Sequence, residues 1–223
     1  MSWPLPSGML LDERLRFPDP HDAAPEGLVA IGGDFSPERL LLAYRSGIFT
    51  WTDNPISWWS PDPRGIFELD HFHVPRSLEK FLRKNPYAVT VDRAFRAVME
   101  GCAVPDARRG KSWITPNFIA AFTRLHDAGH AHSVECWRGD ELVGGIYGVA
   151  VGGMFAGESM FHRADNASKV ALHHLVTRLR AKGFALFDIQ MVTDTTRALG
   201  AMEIPRVVYL ERLSRATIMK CTF

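Results

Sequence analysis

Hydrophobic positions along the chain recur with two periods, and from about residue 63 onward the two alternate. Helical spacing predicts a helix over Arg76–Lys84, ending near Asn85, with Leu78, Phe81 and Leu82 on one stripe. A second helix opens at Thr115-Pro116, carries Phe118, Ile119, Phe122 and Leu125 on one face, and stops at Gly129. Asp92 is the expected cap of a helix reaching about Cys102. Asn166 is the expected cap of another, whose Val170, Leu175, Val176 and Leu179 face a sheet and which stops at Gly183. Short strands are expected at Gly65–Leu69, Tyr87–Val91 and Phe184–Gln190. His132–Trp137, the Gly139-Asp140 turn and Leu142–Ala150 read as a hairpin, and Met154–Phe161 continues the series. Short helices follow Asp194 and Pro205. Three antiparallel strands, a helix and a further strand make an α+β pattern with a mixed, largely antiparallel sheet flanked by helices.

Residues 1–62 read differently. They are rich in Pro, Gly and Trp and hold one clear helix signal: Ser36 as cap, Pro37 at the first helical position, then Leu40, Leu41, Tyr44 and a stop at Gly47. The run Trp58-Trp-Ser-Pro-Asp-Pro63 is extended and turn-rich, because each proline disfavours helix in the residue before it. A boundary is expected there, with a small N-terminal domain over 1–62 and a larger domain over 63–223.

Composition narrows the class. Hydrophobic residues make up 46 % and charged residues 23 %, so the chain can build a packed core and disorder is excluded. Lys plus Arg is 26 against 25 Asp plus Glu, a net charge of +1, which argues against coating DNA by bulk charge but allows a local basic patch. Cys102, Cys136 and Cys221 form no CxxC and read as free thiols of a reducing compartment. Met1–Gly8 lacks the pattern of a signal peptide, and the longest uncharged stretch, Leu142–Gly157, is glycine-rich and short of the roughly 20 apolar residues a spanning helix needs. A cytoplasmic protein without a membrane partner is the expectation.

The chain has no Walker loop, no GxGxxG and no HExxH, and Gly157-Glu-Ser-Met-Phe161 lacks the last glycine of a nucleophile elbow. Histidines 126, 130 and 132 cluster, but the Gly129 stop keeps them off a common face, which favours a helix-end cluster over a metal. Charges inside apolar strands are more informative. Period-two alternation puts Met154, Ala156, Glu158 and Met160 on one face, and Phe184, Leu186, Asp188 and Gln190 on another, with the last two side chains about 7 Å apart. A strand-end carboxylate bonded to a loop explains Asp188 alone. Two carboxylates and an amide on neighbouring strands point to a site. Arg76, Lys80, Arg83 and Lys84 form one stripe of the first helix, readable as a solvated face or as a phosphate-binding one. Arg108, Arg109 and Lys111 add a basic loop before Trp113, and Trp51, Trp58, Trp59 and Trp113 lie near loops or element ends, where tryptophans pack or stack on bases.

Eight stretches, in order over residues 17 to about 212, carry a family resemblance. They are Gly27-Leu-Val-Ala-Ile-Gly-Gly-Asp34, Ala43-Tyr-Arg-Ser-Gly-Ile-Phe49, Trp58-Trp-Ser-Pro-Asp-Pro-Arg64, Trp113-Ile-Thr115, Gly129-His-Ala-His-Ser-Val-Glu135, Glu141-Leu-Val-Gly-Gly-Ile-Tyr-Gly148, Gly157-Glu-Ser-Met-Phe161 and Glu203-Ile-Pro-Arg206. The sequence resembles bacterial leucyl/phenylalanyl-tRNA–protein transferases. The resemblance implies a small N-terminal domain and a GNAT-like acyltransferase domain. It implies transfer of leucine, phenylalanine and, less readily, methionine from aminoacyl-tRNA to the α-amine of proteins beginning with Arg or Lys, feeding N-end rule degradation, with neither acetyl-CoA nor a metal as cofactor.

Carried over position by position, it makes Asp188, Gln190 and Glu158 catalytic and Trp51 and Trp113 the adenosine contacts. Ile146, Phe155, Leu175 and Phe187 become the pocket for the transferred side chain. The stripe Arg76, Lys80, Arg83 and Lys84 becomes the tRNA contact. Thr193 stands where an asparagine is common and Phe122 where a tyrosine is common; both bear on polar contacts to the acceptor or the tRNA end. Asp188 would orient and polarise Gln190, and its loss should cost about 10² or more in rate with the fold kept. Rival readings are an RNA-binding module without chemistry and an acetyl-CoA-dependent acyltransferase. Intact Asp188, Gln190 and Glu158 speak against the first. The second needs a glycine-rich pyrophosphate loop, and Phe161-His-Arg-Ala-Asp165 has no glycine.

Overall fold

The structure, a computed structural model, describes residues 9–84, 86–105 and 112–223. The basic loop of Arg108, Arg109 and Lys111 and the helix end at Asn85 lie outside the described residues. The first part of the chain forms β1 (Leu10–Leu11), β2 (Leu28–Gly32), α1 (Pro37–Arg45), β3 (Phe49–Asp53) and β4 (Ile56–Trp59). These strands make a sheet of order β1-β2-β4-β3, in which β1 runs parallel to β2. Only α1 was legible in advance. Its Ser36 hydroxyl accepts from the Arg39 N–H, and Pro37 fills the first turn. The strands are two to five residues long and broken by Thr, Asp and Trp, which erases any period-two signal.

The rest of the chain contributes β5 (Arg64–Phe67), α2 (Arg76–Arg83), β6 (Ala88–Val91), α3 (Phe95–Ala103), α4 (Pro116–Asp127), β7 (Ala131–Arg138), β8 (Glu141–Val151) and β9 (Met154–His162). It continues through α5 (Ala167–Ala181), β10 (Leu186–Gln190), α6 (Asp194–Arg197), β11 (Ala201–Ile204) and α7 (Arg206–Thr217). A seven-stranded sheet of order β11-β5-β10-β9-β8-β7-β6 results, with β9 and β10 its parallel pair. The fold is α+β around a mixed, mainly antiparallel sheet. Among the described residues no helix is long and apolar enough to cross a membrane.

Each face of the large sheet has its own core. One joins Tyr147, Val149 and Leu186 to Phe118 and Phe122 of α4, Leu213 of α7, and Val29, Leu40 and Trp58 of the N-terminal sheet and helix. That first part of the chain therefore buries its apolar face against the larger sheet. The other core packs Val134, Ile146, Phe155 and Phe187 under Leu172, Leu175 and Val176 of α5 and Leu78 of α2.

Two expected caps are corrected. Asp92 starts no helix: at φ +56° its carboxylate accepts from the Ser133 N–H at 2.8 Å and meets His132 Nδ1 at 2.8 Å, and α3 begins three residues later. Asn166 precedes α5 at φ +59°, but its side chain caps nothing. The histidines are placed individually, His126 on the Ala131 carbonyl and His132 on Asp92. Among the described residues no group of three or more His, Cys, Asp or Glu could hold a metal ion. Cys136 is a buried and Cys221 a half-buried free thiol.

At the end of the parallel strand pair, strict alternation fails twice. Between Tyr147–Ser159 and Gly148–Gly157 the β8–β9 register skips Glu158. Between Asp188–Ile66 and Gln190–Gly65 the β10–β5 register skips Ile189. Each is a β-bulge, which re-aims the side chains beyond it. Met154 and Ala156 face the first core, whereas Met160 packs against the second, so the expected common face of Met154, Ala156, Glu158 and Met160 does not exist. Phe184 precedes β10 and likewise packs into the second core, away from Leu186.

Candidate active site

The parallel pairing of β9 and β10 ends at Ala156–Asp188, beside both bulges. A cavity of about 520 Å³ opens where the strands part. Its lining combines an apolar set, Phe67, Ile146, Met160, Leu172 and Ile189, with Trp51, Trp113, Glu158 and Gln190. Gln190 ends β10 with a left-handed backbone, φ +57°, and its Nε2 donates to Glu158 Oε1 at 3.1 Å. The two bulges thus bring together an amide and a carboxylate 32 positions apart in the chain.

Asp188 sits directly behind them. It is fully buried and accepts four hydrogen bonds. Oδ1 receives Arg64 Nε at 2.8 Å and the Gln190 backbone N–H at 2.9 Å; Oδ2 receives Arg64 Nη2 at 2.7 Å and the Tyr209 hydroxyl at 3.0 Å. The remaining Arg64 nitrogen, Nη1, donates to the Gly47 carbonyl at 2.9 Å, and the guanidinium lies over the Tyr209 ring. Burial opposes the Arg64 charge, but the Asp188 carboxylate outweighs it and holds the guanidinium above its ordinary range. The Gln190 side-chain amide bonds Glu158, not Asp188. Asp188 grips the Gln190 backbone instead, at the residue whose left-handed conformation costs about 1 kcal/mol or more. Its four acceptor positions are all occupied.

Arg64 and Tyr209 were not singled out by the sequence. Both are buried, and their partner Asp188 lies 124 and 21 positions away, beyond any local spacing rule. Tyr44 is a third such residue. Its hydroxyl and that of Tyr147 are buried beside Glu158 and have no other hydrogen-bond partner among the described residues. Burial, reinforced by the Asp188 charge and offset by Tyr44 and Arg64, pushes the Glu158 carboxyl up to about 8.

Of the expected side-chain pocket, Ile146 lines the cavity. Phe155, Leu175 and Phe187 are fully buried in the second core and are not among the residues that line the cavity. Phe187 stacks on Phe67 at 5.4 Å and closes on Gly157, where a Cβ would come within 2.9 Å of its ring. Trp51 and Trp113 are both half-buried in the lining, whereas Trp58 is core and donates its indole N–H to the Gly32 carbonyl at 2.8 Å. Thr193 lines the cavity and caps α6. Phe122 is buried edge-on to Tyr147 and is not part of the cavity lining.

Arg76, Lys80, Arg83 and Lys84 are exposed on or just beyond α2 and outside the cavity. An acid sits beside the stripe, since Arg83 Nη2 pairs with Glu79 at 2.7 Å. The N-terminus of α2 borders a neighbouring groove lined by Pro75, Ser77, Asn166 and Lys169, which shares Asp194 and Thr195 with the cavity.

The family model for leucyl/phenylalanyl-tRNA protein transferase matches residues 66–214, and that for its N-terminal domain matches 33–62. The leucyl/phenylalanyl-tRNA–protein transferase of Pseudoalteromonas atlantica is 50 % identical over 210 residues, covering 92 % of this chain and 90 % of its own. That of Shigella dysenteriae is 51 % identical over 205 residues, covering 90 % and 87 %. Among solved structures, L-PGS from Bacillus licheniformis aligns with a TM-score of 0.44 at 14 % identity, over 71 % of this chain and 54 % of that one. A ribosomal-protein-alanine N-acetyltransferase from Brucella melitensis aligns at 0.34 and 15 %, over 51 % and 86 %. With both of its family models matched and half its residues shared with such transferases over nearly their full length, the chain belongs to the leucyl/phenylalanyl-tRNA–protein transferase family.

Proposed function

We propose that the protein transfers leucine, phenylalanine and, less readily, methionine from aminoacyl-tRNA to the α-amine of proteins beginning with Arg or Lys, marking them for N-end rule degradation in the cytoplasm. One observation carries the chemistry. A single cavity holds apolar walls, two tryptophans, and an amide locked to a carboxylate where the strands separate. Apolar walls suit a leucyl or phenylalanyl side chain, and tryptophans are stacking surfaces for a terminal adenosine.

The ester of an aminoacyl-tRNA is already activated, so no protein nucleophile is required. Holding ester and amine together can supply roughly 7 to 11 kcal/mol of the barrier. Gln190 commits its N–H to Glu158, which turns its carbonyl oxygen to the amine as an acceptor. Asp188, through Arg64 and Tyr209, keeps that amide from rotating away. The reading is tested by transfer of labelled leucine from Leu-tRNA to a peptide starting with Arg, beside one starting with Asp. Labelling of the first alone is expected; labelling of neither would overturn it.

The basic stripe is proposed to grip the tRNA body. Phosphate contacts carry no base information. Changing Lys80 and Arg83 to Ala should weaken Leu-tRNA and Phe-tRNA equally. Because Arg83 is already paired with Glu79, the salt slope should flatten by closer to one counterion than two. Transfer from a minimal aminoacyl-adenosine should be untouched. Binding measured from about 50 to 200 mM salt decides it: an unchanged slope would make α2 a purely solvated face.

A further inference from the structure

Amide formation from an amine and an ester leaves one proton to relocate. The lone pair of the neutral amine adds to the ester carbonyl and forms the C–N bond, which leaves a positive nitrogen. When the C–O bond to the ribose breaks, the departing oxygen needs a proton. The cavity must hold a group that takes the first and supplies the second.

Asp188 cannot be that group, because it is fully buried and its four acceptor positions are occupied. An amide such as Gln190 is far too weak a base. Asp194 lines the cavity too, but it is exposed at the start of α6, on the border with the neighbouring groove. Glu158 remains. Its carboxylate faces the cavity and touches the amide that would hold the amine. Behind it stand the Tyr44 hydroxyl from α1 and the Tyr147 hydroxyl from β8, both buried and without another partner among the described residues. A phenol donates to a carboxylate and accepts from a carboxylic acid, so this recess suits either protonation state.

Building on the transfer reaction above, we propose that Glu158 is its proton shuttle: it accepts the amine proton as the C–N bond forms and returns it to the ribose oxygen as the C–O bond breaks. The products are the amide, the free tRNA hydroxyl and the original carboxylate. The charges facing Glu158 are Asp188 from β10 and Arg64 from β5, with the phenols of Tyr44, Tyr147 and, across Asp188, Tyr209 of α7. Their sum with burial places its carboxyl at about 8, beside the roughly 8 of a free α-amine. Matched affinities allow the proton to pass both ways.

Glu158→Gln keeps the volume and an oxygen for the Gln190 N–H, so a merely structural role would survive it. At saturating donor and acceptor, transfer to the Arg-initiated peptide should fall by about 10² or more, with KM for each substrate within a few-fold. In the wild type two ionisations, amine and Glu158, must occur on the acid side. The slope of log kcat/KM against pH should therefore approach two there and drop towards one in the variant. An acceptor peptide with an N-terminal aminooxy group has a far less basic nitrogen that sheds its proton unaided. On it the variant's deficit should shrink below about ten-fold. Activity within a few-fold of wild type, an unchanged acid slope, or equal losses on both acceptors would overturn the shuttle. Wild-type inactivity on either peptide would instead overturn the transfer reading itself.

Discussion

Asp188→Ala is expected to lose about 3–5 kcal/mol of stability and about 10² or more in transfer rate together. The fold-neutral loss that a strand-face carboxylate suggests is not the expected result, because the side chain is the counter-charge of an Arg64 that is itself buried. Removing it strands a guanidinium out of water. It also releases the Gln190 backbone from its left-handed conformation. Denaturant unfolding and single-turnover transfer separate the two effects when Arg64→Met is combined with Asp188→Leu. An apolar pair of similar volume should recover most of the stability, as buried ion pairs replaced whole often do. The rate should stay low, since nothing then holds the Gln190 backbone. A stable double variant with near-normal turnover would show that Gln190 needs no such anchor.

Aspartate presented on tRNA should be transferred at least about 10³-fold less efficiently than leucine. The apolar lining of Phe67, Ile146, Met160, Leu172 and Ile189 offers a carboxylate no partner. Burying an unpaired charge costs several kcal/mol, and every 1.4 kcal/mol is a factor of about ten. Leucine and phenylalanine differ only in apolar size, which such a wall distinguishes by about 1–3 kcal/mol per methylene-scale change. Competition of charged tRNAs for one acceptor peptide measures both ratios. Comparable kcat/KM for aspartyl and leucyl donors would place the transferred side chain outside this wall.

Much of the larger sheet could be read in advance because its signals are local. The β7–β8 hairpin arises from Gly139-Asp140 between apolar runs, α4 from Thr115-Pro116, and α5 from its apolar face. The site was legible only as residue types. Glu158 and Gln190 stood out as charge and amide among apolar neighbours, and the structure brings them to 3.1 Å. Their meeting depends on two bulges that a period-two count does not contain, so the same count misplaced Met160 and Phe184. Arg64 went unnoticed because what marks it is burial against Asp188 and Tyr209, a tertiary property. The N-terminal strands and β11 stayed hidden for the opposite reason: at two to five residues, none is long enough to show a period.

The position of β5 also dictates when this protein can fold during its synthesis. In the large sheet β5 lies between β10 and β11, both made more than 100 residues after it. A ribosome moving at about 5–20 residues per second exposes β5 for several seconds before either neighbour exists. Through that interval Ile66 and Phe67, later fully buried, have no strand beside them, and Arg64 waits for Asp188 and then for Tyr209. The β7–β8–β9 meander can close as it emerges, since its contacts are local. The β5–β10 end of the sheet closes last, when the C-terminal helix brings Tyr209 onto Arg64. A nascent chain cut short just before residue 209 therefore has every strand of the large sheet and still lacks the hydroxyl that completes the anchor on Asp188.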